Sequence, residues 1–381
     1  MKKLFALMLA VLMLLSAVPA TADVAEVVAG AEALTHDELV EKALAESGTF
    51  VVYANTSRAA TALEGFSALY GIAGEANNLK DAEIYTKLES EISGSGSGAD
   101  MVMIQDGASL IYALEDGMLV NYVPASVRDS VAEGDRNPLV HQFINKVFIY
   151  NNRGDSVPAI RNVWELTDPS MKGNVIFKNP EQEQVNMNFL VMLTNDEWSG
   201  KLADAYSAWK GEEIDLGEYK NAGYKWVAEF LTNCTFGSSD TDIAEEISQE
   251  TAAGKIGLFV LSKLRSSSVL TENLTVAEYD ANQNAYAVEP FAGFLYPMYA
   301  LVSTGASRPY TAMLFVEYLM TAEGFAPWGS SIGAYSSSTA IAPNEGDLDI
   351  GTWKGTLVIE DPQFILDNYT DVSDFVIKYL Q

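Results

Sequence analysis

The stretch Thr49-Phe50-Val51-Val52-Tyr53-Ala54-Asn55-Thr56-Ser57 decides how the rest of the chain is read. Its first six residues are a short, β-rich and almost unbroken apolar run, the pattern of a strand buried on both faces of a parallel sheet. Asn55-Thr56-Ser57 supplies turn and cap chemistry. Beyond it Ala59, Ala62, Leu63, Phe66 and Tyr70 recur at helical spacing up to Gly71, so the segment predicts a strand–turn–helix unit.

The unit recurs along the chain. Met101-Val102-Met103-Ile104 predicts a strand, Gln105-Asp106-Gly107-Ala108-Ser109 a turn, and Leu110 to Leu114 the opening of a helix. Val147–Tyr150, Val175–Phe177 (ending at Asn179-Pro180) and Ile256–Val260 predict further strands. Ser307-Arg308-Pro309 starts a helix, with proline where its missing N–H costs nothing. Ala312, Phe315, Val316, Leu319 and Met320 form its apolar face and Gly324 its end. Strands alternating with helices define an α/β chain with largely parallel sheets. In such sheets ligands sit beyond the carboxyl ends of the strands. Residues 23–47 read as one polar, alanine-rich helix ahead of the first strand, and Ser93–Gly98 as a surface loop.

Lys2 and Lys3 precede the apolar run Leu4–Leu15, and Ala20-Thr21-Ala22 supplies small residues for a peptidase. This predicts a secretory signal over 1–22, removed after Ala22. The sole cysteine, Cys234, excludes an intramolecular disulfide and lies far from any lipid-attachment position. The expected product is a freely soluble exported monomer, in a periplasm or secreted, with no membrane insertion of its own. With 52 acidic against 23 basic residues and a net charge of −29, its surface repels phosphate backbones and anionic lipid, which excludes nucleic acid as a partner.

Enzyme motifs fail on context. Gly329-Ser330-Ser331-Ile332-Gly333 matches a nucleophile elbow by letter, yet it follows a helix, and both histidines, His36 and His141, come before it. Asp280-x-Asn282-x-Asn284 opens like a calcium loop, but Ala285 replaces the required glycine and Phe291 the closing carboxylate. No zinc, Walker or dinucleotide fingerprint occurs. No catalytic residue, metal ligand or cofactor is therefore assigned. What remains are turns rich in amide and hydroxyl groups at helix starts: Asn55-Thr56-Ser57-Arg58, Gln105-Asp106, Ser238-Ser239-Asp240 and Ser330-Ser331. Helix N-termini present unpaired N–H groups to an oxygen-rich ligand, and Arg58 offers a two-pronged clamp for carboxylate or phosphate.

With these pieces in place the chain resembles the extracellular solute-binding proteins of ATP-binding-cassette (ABC) importers, in the branch of ferric-ion and phosphorylated-solute binders. The resemblance is carried by Phe50–Ser57, Ala99–Asp106, Trp164–Pro169 running to Lys172-Gly173, and Ala252–Leu258. Pro290–Gly293, Glu323–Trp328 and Gly333-Ala334-Tyr335-Ser336 complete it. It implies a two-lobed periplasmic-binding-protein fold of type II, with two crossing hinge segments near Tyr150-Asn151 and near 286–296 and a ligand cleft between the lobes. Lobe one is expected over 48–148 and 294–345, and lobe two over 149–293 and 346–381. The partners implied are a small ligand and an ABC permease in the inner membrane, without turnover. Ferric binders of this branch carry adjacent tyrosines after the strand matching Ile256–Val260. Here Leu261-Ser262-Lys263-Leu264-Arg265 stands instead. An ammonium there repels a trivalent cation, which leans the expectation toward an anionic solute: a phosphorylated sugar, phosphonate or carboxylate. Lys263 joins the candidate ligand residues on that ground, and Tyr335 keeps ferric iron as the alternative.

Overall fold

The structure, a computed structural model, describes residues 23–94, 98–153, 160–266, 268–277, 288–329, 333–345 and 347–380. The expected signal peptide, residues 95–97 of the glycine–serine tract, the Ser330-Ser331 turn and the Asp280–Asn284 loop lie outside the described residues. Among the described residues no helix is long and apolar enough to cross a membrane.

Among the described residues twelve strands form one curled sheet: β1 Phe50–Ala54, β2 Gly74–Asn78, β3 Met101–Ile104, β4 Leu119–Val120, β5 Val140–Asn151, β6 Val175–Lys178, β7 Cys234–Gly237, β8 Ile256–Val260, β9 Leu274–Val276, β10 Gly293–Ser303, β11 Ala334–Ser336 and β12 Val358–Ile359. The main path runs β2-β1-β3-β10-β5-β8-β6-β7. Each flank is parallel, β1 with β2 and β3, β6 with β7 and β8. The middle is antiparallel, because β10 and β5 run against each other and against their outer neighbours β3 and β8. The two long strands thus stitch two α/β halves together. Each half has its own aromatic core. Phe50, Phe66 and Phe315 cluster in the first, with ring centroids 5.1–6.2 Å apart. Trp226 stacks on Phe230 at 4.5 Å and Phe189 on Phe294 at 4.6 Å in the second. The buried indoles there are satisfied: Trp164 donates to the carbonyl of Leu202 at 2.8 Å and Trp226 to that of Val163 at 3.1 Å.

Three expectations change. Residues 23–47 form two helices, Val24–Ala31 and His36–Ala45, because Thr35 and Glu38 close a capping box that starts the second. The run Val147–Tyr150 is only the end of β5. His141, Gln142, Asn145 and Lys146 break its apolar pattern yet are buried with it. The helix after Arg308 spans Pro309–Leu319 and a second helix, Ala322–Gly329, follows. Every residue from Thr311 to Leu319 is buried, so the helix has no solvent face. It lies between β10 and the two N-terminal helices. Glu46, just past those helices, accepts the N–H groups of Tyr310 and Thr311 at 3.0 and 2.8 Å and satisfies a buried helix start.

Gly293 opens β10 with φ +151°, and a Cβ there would lie 2.1 Å from the carbonyl oxygen of Lys146, so only glycine lets β10 cross β5 this closely. The C-terminal helix Pro362–Val376 packs on both Gly107–Glu115, which follows β3, and Gln184–Met192, which follows β6.

Candidate functional site

The carboxyl ends of the parallel strands from both halves converge on one polar cluster beside β5. From the first half, Asn55 leaves β1 and donates from Nδ2 to Asp81 at 2.7 Å and to Gln105 at 3.2 Å. The Gln105 N–H closes the triangle on Asp81 at 3.1 Å. Asp106 then caps Gly107–Glu115 by accepting from the N–H of Ala108 at 3.2 Å and from the Ser109 hydroxyl. From the second half, Lys178 ends β6 and Asp240 begins the helix after β7. Lys178 Nζ lies 2.9 Å from Glu183 and 3.4 Å from Asp240.

Lys146, at the middle of β5 and fully buried, joins the halves. Its ammonium pairs with Glu183, donates to Asn186 at 2.9 Å and lies 3.5 Å from Asp240. A second link is the Asn188 amide, which donates to Asp106 at 3.4 Å. Burying a charge is costly unless it is paired, and this network pairs both lysines twice.

The carboxylates are held in two ways. Burial would raise Glu183, but Lys146 and Lys178 hold it well below the carboxylate range. Burial raises Asp106, and burial with the nearby Asp106 charge pushes Asp81 up to about 7. Glu360, on the segment entering the C-terminal helix, is raised as well, through burial first and Asp106 second. Several buried oxygens here, on Asn55, Asn188 and Glu360, make no hydrogen bond of normal geometry. They are all acceptors, which a ligand bringing donors or positive charge would satisfy. Among the described residues no group of three His, Cys, Asp or Glu side chains is placed to hold a metal ion.

Of the residues singled out in the sequence, Asn55, Gln105, Asp106 and Asp240 belong to this cluster. Thr56 accepts the Arg58 N–H at 3.3 Å, and Ser57 is exposed and makes no side-chain cap. Arg58 is half-buried and makes no ion pair among the described residues. Burial alone lowers its pKa. Ser239 caps its own helix through the Asp242 N–H at 3.0 Å, and Ser238 bonds the Asp242 carboxylate. Lys263 sits half-buried in the 3₁₀ turn Leu261–Ser266. Tyr335 is buried with its hydroxyl on Asp347 at 2.9 Å and on the Asn145 amide at 3.3 Å, so its phenol already has partners. The cluster also contains Asp81, Lys146, Lys178, Glu183, Asn186, Asn188 and Glu360, which sequence reasoning passed over. The one available signal was a lysine inside or ending an apolar strand, at 146 and 178.

No protein-family model and no curated protein matches the sequence. Solved structures do match in shape. The ferric binding protein from Campylobacter jejuni superposes with a TM-score of 0.65 at 13% identity, over 87% of this chain and 99% of its own. Iron-bound HitA from Pseudomonas aeruginosa gives 0.65 at 15%, over 87% and 99%. The substrate-binding protein of an ABC transporter from Agrobacterium tumefaciens gives 0.62 at 15%, over 88% and 95%. At such identities the likeness speaks for the fold: this chain has the two-lobed architecture of type II periplasmic binding proteins.

Proposed function

We propose that this chain is the solute-binding component of an ABC importer. It would capture a small solute between two lobes and present the closed form to a membrane permease, with no bond made or broken. The observation that carries the reading is the convergence of strand carboxyl ends from both halves on one buried polar cluster, linked across by Lys146 and by Asp106–Asn188. The lobes are taken as 48–148 with 294–345 and 149–293 with 346–381, hinged on β5 and β10. A signal over 1–22 and a periplasmic or secreted location belong to the same reading. Closure shifts an open–closed population by the ligand's differential affinity.

Ferric iron is put first as the cargo. Several structures of the same fold are named for ferric binding and another is iron-bound, and the cluster holds more carboxylates (Asp81, Asp106, Glu183, Asp240, Glu360) than ammonium groups (Lys146, Lys178). The tyrosine pair expected of ferric binders is absent after β8, so the ion would arrive with oxygen ligands of its own. A Trichodesmium protein of this fold is described with both iron and citrate. The second reading, a free organic anion, rests on the half-buried guanidinium of Arg58, which makes no ion pair among the described residues.

A thermal-shift panel tests both, because a ligand that binds only the native state raises the melting temperature by mass action. It would contain ferric chloride with a chelator control, ferric citrate, citrate alone, sugar phosphates and phosphonates. Stabilisation by ferric citrate beyond that by citrate alone supports iron. Stabilisation by a phosphorylated or carboxylated solute, lost in Arg58→Ala, replaces iron with the anion. No stabilisation anywhere overturns both.

A further inference from the structure

Beside the polar cluster, sharing Asp106 with it, lies a cavity of about 520 Å³ built by one stripe from each of three helices. Asp81–Ser93 contributes Tyr85 and Glu89, four residues apart. Gly107–Glu115 contributes Ala108 and Tyr112 at the same spacing, and Pro362–Val376 contributes Leu366, Tyr369 and Thr370. Residues at i and i+4 share one helix face, so the three stripes face a common space. Asp106, almost wholly buried, also lines it.

The aromatic walls have fixed geometry. Tyr85 and Tyr112 meet nearly edge to face, with centroids 5.4 Å apart at 65°, and form a corner. Tyr369 is anchored by its hydroxyl, which donates to Gln184 at 3.2 Å. Tyr112 is 44% exposed, among the few large apolar side chains of the described residues that face solvent to that degree. Among the described residues no lysine, arginine or histidine lines the cavity. Burial, then Tyr112, Glu89 and Asp116 raise Tyr85; burial raises Tyr369 most, the Gln184 hydrogen bond lowers it, and Asp106 and Glu181 raise it.

Ring faces carry negative quadrupole density, and a cation over them gains attraction that an uncharged group of the same shape does not. Carboxylates at the floor and rim add to that selectivity, while an anion would be repelled. The volume lies in the range of small-molecule sites. The geometry points to a binding site for an organic cation, an alkylated or primary ammonium, in the cavity framed by Tyr85, Tyr112 and Tyr369 over Asp106. This goes beyond the importer reading and stands or falls separately from the identity of the cleft's cargo.

The test is isothermal titration of the full mature chain with choline, at constant ionic strength. The parallel titrant is its uncharged carbon isostere, in which a tert-butyl group replaces trimethylammonium. Choline is expected to bind and the isostere not. Tyr112→Ala is expected to weaken choline about fivefold, with Tyr112→Phe, which keeps the ring, retaining affinity. Glu89→Gln is expected to weaken it as well. Both positions are exposed, and an unchanged melting temperature certifies each variant's fold. Equal binding of the isostere would overturn the proposal. So would an absence of choline binding, or indifference of choline affinity to Tyr112→Ala and Glu89→Gln.

Discussion

Lys146→Met removes an ammonium that links the two halves at the level of the strand ends. The methionine fills most of the same volume, so the change is in charge. Lys146 is fully buried, which means its loss is not softened by solvent. Removing one partner of a buried pair costs about 3–5 kcal/mol, because the other charge stays behind without compensation. Here Lys178 remains within 2.9 Å of Glu183 and 3.4 Å of Asp240, so the lower end, about 3 kcal/mol, is expected. At roughly 2.1 cal/mol/K of unfolding entropy per residue, that corresponds to a fall in melting temperature of about 4 °C for a chain of this size. The companion variant Lys146→Met with Glu183→Gln removes the stranded charge and is expected to recover much of the loss. The pH dependence adds a sign. Glu183 has a depressed native pKa, so its contribution is present above its unfolded value and is lost as pH falls through the native one. In Lys146→Met that native value moves up towards the unfolded one, so the acid-dependent loss is smaller and is complete at a higher pH. Calorimetry on wild type and both variants, from neutral pH into the acid range, reads all of this. A fall of less than about 1 °C in Lys146→Met, or a double variant no more stable than the single one, would refute the reasoning.

Asp81 carries the opposite sign. Its native pKa is raised to about 7, so the stability tied to its neutral form is lost as pH rises from 3.8 towards that value. Asp81→Asn, which can still accept the Gln105 N–H, should flatten the melting temperature over this window. Gly293→Ala places a Cβ 2.1 Å from a backbone oxygen at φ +151° and is expected to cost at least about 2 kcal/mol, read by chemical denaturation. Glu46→Ala leaves the buried N–H groups of Tyr310 and Thr311 without their carboxylate and should cost about 2 kcal/mol. Hydrogen exchange at those two amides should rise in that variant and nowhere distant from it.

Within the parallel flanks β1 and β3 were legible because each is short, apolar and followed at once by its own cap and helix, as at Phe50–Ser57 and Met101–Asp106, whereas the edge strands β2 and β7 are too polar and exposed to announce themselves. The crossing strands were not. β5 mixes His141, Gln142, Asn145 and Lys146 into its buried length, and no local pattern distinguishes a lysine destined for Glu183 and Asp240 from one facing water. The candidate site divides in the same way. Asn55, Gln105, Asp106 and Asp240 sit in turns whose chemistry is local. Lys146, Asn188 and Glu360 acquire their roles only when segments more than thirty residues apart meet. Ser238 and Ser239 show the limit of cap-like spacing, since both are satisfied within their own helix start.

The C-terminal helix Pro362–Val376 touches one helix from each half, and its first residue, Pro362, sits where Gly107 has no side chain to oppose it. Two plates joined only by neighbouring strands can both bend and shear. A third contact set off from those strands resists sliding and leaves bending as the softer freedom. On the proposed hinge reading Gly107 works as a bearing: its missing side chain lets the proline ring ride close against the helix start, where a Cβ would lie 2.8 Å from Pro362 Cγ, and added bulk there is expected to tilt the proposed axis of closure.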